Sequence, residues 1–481
     1  MQAKLKVLML GWEFPPFLTG GLGQACYGIA KALSNLTDLT VIIPRSDPNY
    51  VLDNVNIVGL NQLTEDDIKA ERLQYSLQEI TEVIFVATDL SPYPVPVMKT
   101  VKHIEEIASE VENGINAQEV RELYNTSANN YGNNIMEKVY TYADVITNIA
   151  EKRDFDIIYA HDWLTFQAGI QLKRLTGKPL VVHVHSLETD RIGIAARSPQ
   201  NKVYHIEYDG MSMADLIIPV SYYTKAQILE HYPFIDEKKI FPVHNAIDPL
   251  PTNHNMPTKT LKEEPEKLSE FGYSKKAPSP SPKMVLFLGR ITYQKGPEFL
   301  LETAEKLLRK DKGVVFVIAG VGDQQAWLSS EVVKRKLGEN FIFTGFLSKA
   351  RVHELLEKVD VYFMPSISEP FGLSALEAAQ HEIPAVLSKQ SGVSEILHNV
   401  LKADCWDANK FANYLYALLH YNGIRELLAE ASKKEVEKLT WENTALQLLH
   451  LFENHLPKAN LAQEAWDAML ETEEVEELIE S

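Results

Sequence analysis

Glu369 and Glu377 stand with seven residues between them in the stretch PSISEPFGLSALEAA, residues 365–379. The apolar run DVYFMP leads into it and reads as a buried strand stopped by Pro365. Pro370 biases Glu369 toward an extended backbone, and a helix is predicted to begin near Gly372 and to run through LSALEAAQ. The first-turn amides of Gly372, Leu373 and Ser374 then lack partners within the helix and make an anion site. Glu369 sits ahead of that helix end and Glu377 on its second turn. Carboxylates repel phosphate but accept hydrogen bonds from sugar hydroxyls. The arrangement suits a diphosphate on the helix end, with a sugar held by a glutamate on each side. Taken alone, the pair reads better as dipole-stabilising carboxylates at a helix start.

Three further groups sit at similar places. In FLGRITYQKGPEF, Arg290 and Lys295 follow one apolar run and precede a helix that Pro297 can open. Two cations with no carboxylate between them suit a multiply charged phosphate, although solvated basic loops look the same. In PPFLTGGLGQA, Gly20, Gly21 and Gly23 follow the first apolar run and open a helix, allowing close backbone approach to an anion. A dinucleotide fingerprint fits poorly: Cys26 stands where its third glycine belongs, and Pro44-Arg45 follow the second run instead of a carboxylate. In YAHDWLT and VVHVHSLETD, His161, Asp162, Trp163, His183 and His185 follow buried runs. An aspartate beside a tryptophan offers a polar and an apolar partner to a sugar ring. His183 and His185 alternate, so a strand would point them to opposite faces, and no metal set is predicted.

The elements that must carry these groups are legible as short apolar runs separated by helical patterns. LKVLMLG, LTVIIP, DIIYAH, PLVVHVH, DLIIPVS and KIFPVH belong to residues 1–248. MVLFLG, VVFVIAG, FIFTG, DVYFMP and PAVLS belong to residues 284–440. Runs buried on both faces and alternating with helices predict doubly wound parallel sheets, hence two α/β Rossmann-like domains with a cleft between them. Residues 101–153 are polar and mostly helical in pattern, with NTSANNYGNN as a long loop. Residues 249–283, rich in Pro, Lys, Ser and Glu, read as a linker or exposed excursion. ENTALQLLHLFENHL makes a further amphipathic helix, within 441–456, and 457–481 form an acidic tail.

The chain has 481 residues and a formal net charge of −19, which argues against nucleic acid or an anionic membrane surface as a partner. No apolar run reaches the ~20 residues of a membrane span, so no integral membrane segment is expected. The opening MQAKLKVLMLGWEF runs straight into a Gly-rich turn and reads as a strand, not a signal peptide. Two distant cysteines, Cys26 and Cys405, give no disulfide framework, so a reducing, cytoplasmic setting is expected.

Taken together, GWEFPPFLTGGLG, AHDW, VHVHS, VHNAID, GRITYQKG, VIAGVGD, FTGFLS and SEPFGLSALEAA…SGVSEI resemble, in order and spacing, the GT-B retaining glycosyltransferases, nearest to the glycogen/starch synthases (families 4 and 5). The resemblance covers residues 1 to about 456. It implies an acceptor-side domain over 1–248, a nucleotide-sugar-binding domain over 284–440, and a helix over 441–456 that crosses back to the first domain. It implies that Arg290 and Lys295 bind the donor diphosphate and Glu377 the nucleotide ribose. Glu369 and the backbone of Phe371, Gly372, Leu373 and Ser374 would hold the donor sugar and phosphates. Gly20 and Gly21 would close over those phosphates, His185 would lie by the donor sugar, and Asp162 would face the acceptor. His185, Arg290, Lys295 and Glu369 are thus the catalytic candidates. The implied donor is a nucleoside-diphosphate sugar, such as ADP- or UDP-glucose, the acceptor a glucan or other glycan, and no cofactor is required. Bacterial glycogen synthases carry Lys and Asp where this chain has Leu18 and Gln24.

Overall fold

A computed structural model describes residues 4–64, 67, 81–86, 95–100, 117–125, 131, 134–150, 153–250 and 282–456. Most of the segment 251–283, the acidic tail 457–481 and much of 101–153, including most of its NTSANNYGNN loop, lie outside the described residues.

The first half begins with β1 (Lys6–Leu10), β2 (Asp38–Ile43) and β3 (Val55–Gly59). β4 (Thr81–Val86) and β5 (Val95–Thr100) pair with each other, antiparallel, as a separate hairpin. β6 (Ile157–His161), β7 (Leu180–Val184) and β8 (Leu216–Pro219) then rejoin the first three in a parallel sheet of order β3-β2-β1-β6-β7-β8. The second half repeats the plan. β9 (Lys283–Leu288), β10 (Val314–Ala319), β11 (Phe341–Gly345), β12 (Val361–Met364), β13 (Ala385–Ser388) and β14 (Leu401–Ala403) form a parallel sheet of order β11-β10-β9-β12-β13-β14.

The central strands are almost wholly apolar because helices cover both faces. Alternate residues divide cleanly between two cores: Leu8, Leu10, Ile158 and Val182 on one side of the first sheet, Val7, Met9, Ile157 and Val181 on the other. Leu286, Val317 and Tyr362 against Val285, Phe316 and Phe363 do the same in the second. Each sheet reverses its strand order once, at β1/β6 and at β9/β12. The crevice at such a switch point, beyond the carboxyl ends of the strands, is where doubly wound sheets bind ligands. All the chemistry-bearing loops singled out above leave β1, β6, β7, β9 or β12.

The last described helix, Trp441–His455, starts at Thr440, whose side chain accepts from the Asn443 amide. Its face of Trp441, Ala445, Leu448 and Phe452 packs in the first half, in the core shared with the helix Gly21–Leu33. Gly28 makes the fit: a Cβ there would stand 2.1 Å from the Trp441 ring.

Two local expectations are corrected. KIFPVH forms only an isolated bridge, Ile217 with Ile240: the amides of Phe241 and Val243 donate to the Ile217 and Pro219 carbonyls, but Pro219 has no amide to donate back and continue a ladder. His183 and His185 do not face opposite ways. β7 ends at Val184, so strand alternation no longer governs His185, and the two rings stack with centroids 4.3 Å apart.

Candidate functional site

In the second half, the chain leaving β9 passes Arg290, which is exposed, and makes a helical turn over Tyr293–Lys295. Gly296 then opens the helix Pro297–Lys310 at φ +68°, where a Cβ would stand 2.2 Å from the Pro365 carbonyl oxygen. This close approach knits the turn to the end of β12. The amide of Ile367 donates to the Gln294 carbonyl at 2.9 Å, and Lys295 Nζ donates to Glu369 Oε2 at 2.5 Å. Ser366 Oγ donates to the same oxygen at 3.2 Å.

Glu369 itself is extended, as Pro370 favours, and bridges Ser391 in parallel. Glu369 N donates to Gln390 O at 2.9 Å and Val393 N to Phe371 O at 2.7 Å. Gly372, at φ +112°, turns the chain into the helix Leu373–Gln380 and offers it no side-chain cap. Phe371 is buried and anchors the turn. Ser374 Oγ lies 2.8 Å from the Tyr362 hydroxyl. Glu377, on the next turn, is half-buried; burial raises its pKa, with Lys349 opposing. The structure therefore brings Lys295, Glu369 and the Gly372–Ser374 helix end together, with Arg290 on the same sheet edge.

The glycine loop of the first half meets that helix end. Gly20 is the N-cap of Gly21–Leu33, and a Cβ on Gly21 would lie 3.6 Å from Leu373 Cδ1. The amide of Gly20 is already engaged, donating at 3.2 Å to Glu13, a buried carboxylate. Tyr131 hydrogen-bonds Glu13 and lies within electrostatic reach of Arg290, so it links this loop to that second-half cation.

Asp162 follows β6 at φ +59°, a strained setting for a residue with a side chain. Its Oδ1 accepts from the amides of His185 at 2.6 Å and Ser186 at 3.2 Å. Burial raises its pKa to about 7, against the pull of Arg191 and those amides. His161 Nδ1 and His185 Nε2 share a hydrogen bond of 2.9 Å. The His161–Asp162 pair thus braces the loop that carries His185. Burial pushes His185 down to about 3, so its imidazole is neutral at physiological pH and acts as a hydrogen-bond partner, not a charge. Cys26, His161 and His185 hold donor atoms within 4.8 Å of one another. Burial keeps the Cys26 thiol protonated, and the two imidazoles already bind each other.

Sequence reasoning missed Glu13, Asp190 and Ser368. Ser368 Oγ donates to Asp190 Oδ1 at 2.5 Å, joining the two halves beside Glu369. A signal for Glu13 existed: a carboxylate between Trp12 and Phe14, both buried, must have partners.

Two family models match the chain: the starch synthase catalytic domain over residues 6–238 and glycosyl transferases group 1 over residues 272–435. An uncharacterized glycosyltransferase of Methanocaldococcus jannaschii is 26% identical over 460 residues, covering 93% of this chain and 98% of that protein. The glycogen synthase of Mycobacterium tuberculosis is 25% identical, covering 82% and 80%. The catalytic domain of starch synthase IV from Arabidopsis thaliana, solved with ADP and acarbose, superposes with a TM-score of 0.65 at 17% identity, covering 94% of this chain and 99% of that one. The fold is GT-B, and the chain belongs to the glycosyltransferases of the glycogen/starch synthase type.

Proposed function

We propose that this glycosyltransferase moves a hexose, most simply glucose, from a nucleoside-diphosphate sugar to a glycan hydroxyl with retention of configuration. The observation that carries the reading is the convergence of Lys295, Glu369 and the Gly372–Leu373 helix end on the glycine loop, with Gly21 facing Leu373. As the sugar–phosphate bond breaks, negative charge grows on the leaving diphosphate. Arg290, Lys295 and the helix amides meet it as preorganised electrostatics. Glu369 holds Lys295 in place before the donor arrives and accepts from sugar hydroxyls afterwards. Glu377 receives the ribose. Neutral His185, fixed by His161 and Asp162, donates to or accepts from a donor-sugar hydroxyl. The departing phosphate takes the acceptor proton on the same face, so no separate strong base is needed. Asp162 lies on the acceptor side of this centre. The buried, unpaired state of Cys26 and Cys405 fits a cytoplasmic setting. Among the described residues no helix is long and apolar enough to cross a membrane.

Leu18 favours a second reading of specificity. It lies against the first helical turn, 2.5 Å from where a Gly23 Cβ would stand, and brings no charge where bacterial glycogen synthases carry Lys. A donor or acceptor other than the ADP-glucose and glucan pair fits that difference.

The test is a turnover screen of ADP-, UDP- and GDP-sugars with and without short maltooligosaccharides, with the product anomer read by NMR. Arg290→Ala and Lys295→Ala are each expected to lower turnover on the order of 100-fold. Near-normal turnover in both variants, or an inverted product, would overturn the assignment.

A further inference from the structure

Glu13 is 1% exposed, and its carboxylate is spent almost wholly on the loop that follows it. Oε2 accepts from the amides of Thr19 at 2.9 Å and Gly20 at 3.2 Å. Oε1 accepts from the Thr19 hydroxyl, and Tyr131 adds a further hydrogen bond. The carboxylate lies against the first turn of Gly21–Leu33: a Cβ on Gly23 would be 2.8 Å from Oε2. That helix begins at a glycine with no capping side chain. Glu13 does not cap the helix, since its bonds stop at Gly20; it closes the segment between itself and Gly20 into a ring.

The ring divides the amides. Those of Thr19 and Gly20 are used by Glu13. Those of Gly21, Leu22 and Gly23, the first three of the helix, have no intrahelical partner and lie at the end that faces Leu373. We infer that Glu13 is a positioning residue for donor binding: it fixes the depth and direction of the glycine loop, so that the amides after Gly20 face the diphosphate held by the second half. The inference rests on the reading above. Glu13 itself touches no substrate, and its geometry, not its charge, is what matters.

Two variants separate geometry from charge. Glu13→Gln keeps an oxygen for the two amides and a nitrogen that can donate to the Thr19 hydroxyl. Glu13→Asp keeps the charge but withdraws the carboxylate by one carbon. The donor KM and kcat of each are compared with those of the parent chain on whichever nucleotide sugar it uses. The Gln variant should stay within about threefold of the parent, while the Asp variant should lose about tenfold or more in kcat/KM, as a misplacement near 1 Å does. Amide hydrogen exchange on the ligand-free chain reads the same point without catalysis. Thr19 and Gly20 should lose protection in the Asp variant and keep it in the Gln variant. A chain that turns over no nucleotide sugar refutes the proposed function, and the exchange data then judge the ring by itself. Parent-like exchange or kinetics in the Asp variant, or a Gln variant worse than the Asp variant, would overturn the inference.

Discussion

Asp162 shows how much a single side chain can be asked to do. Its Oδ1 holds two amides of the His185 loop, yet it is buried, and the cost of burying charge raises its pKa from 3.8 to about 7. Between those values the folded chain keeps a proton that the unfolded chain has released. Bound protons favour the state that binds more of them, so stability from this group is present below the lower value and is lost as pH rises through about 7. The loss is about 1.4 kcal/mol per pH unit inside that window. Glu207, also raised by burial to about 7, adds a parallel slope, so a variant is needed to isolate Asp162. Denaturant unfolding of Asp162→Asn at pH 5 and pH 6.5 should show a shallower fall than the parent chain; equal slopes would show that the carboxyl is not titrating there. At this scale the sequence makes residue types after strands legible, as with Arg290, Lys295 and Glu369. It hides contacts such as Glu13 to Thr19, which follow no helical or strand period and depend on how the Pro15-Pro16 turn folds back.

Elements are the level at which sequence pattern and structure agree most closely, because burial on both faces of a parallel sheet leaves a dense apolar signature. PEFLLETAEKLLRK is the helix Pro297–Lys310 residue for residue, and DVYFMP gives β12 with its stop at Pro365. The short strands β3 and β14, and the helices Ala408–His420 and Asn422–Val436, carry weaker or longer patterns that do not separate them from their surroundings. What pattern cannot show is which helix packs on which. That is decided by shape, and Gly28 is the clearest case. Its missing side chain admits the Trp441 ring, the first residue of the helix that returns from the second half to the first. Gly28→Ala places a carbon 2.1 Å from a rigid buried ring, so the ring or the helix must move. The expected cost is about 1–3 kcal/mol by overpacking, read by denaturant unfolding. Trp441→Leu removes the obstacle, so the double variant should lose less than the sum of the single ones. Additive losses would place the helix elsewhere.

For the molecule as a whole, the question is what holds the halves in the arrangement that assembles the site. Glu395, from the second half, reaches the start of the first-half helix Tyr222–His231. It accepts from the amides of Tyr222 at 3.0 Å and Tyr223, and from His244 Nε2 at 2.8 Å. A carboxylate at a helix N-terminus is favoured by both the free amides and the dipole. Beside it, Ser221 Oγ donates to the Pro370 carbonyl at 2.6 Å, within the segment that carries Glu369. The Glu395 contacts therefore act on the same chain segment as the proposed donor site. Removing the carboxylate leaves two amides and an imidazole without their partner, a loss of about 1–3 kcal/mol in the closed arrangement, or roughly 5- to 150-fold in its population. Glu395→Ala should therefore raise the donor KM several-fold or more. It should also enlarge the radius of gyration of the ligand-free chain in small-angle scattering, with the shift reversed by saturating donor. Unfolding of either half should change little, because neither core loses a contact. If scattering and donor KM both matched the parent chain, Glu395 would be a surface cap with no part in closure, and the register of the two halves would rest on Ser221 and on the packing of Trp441.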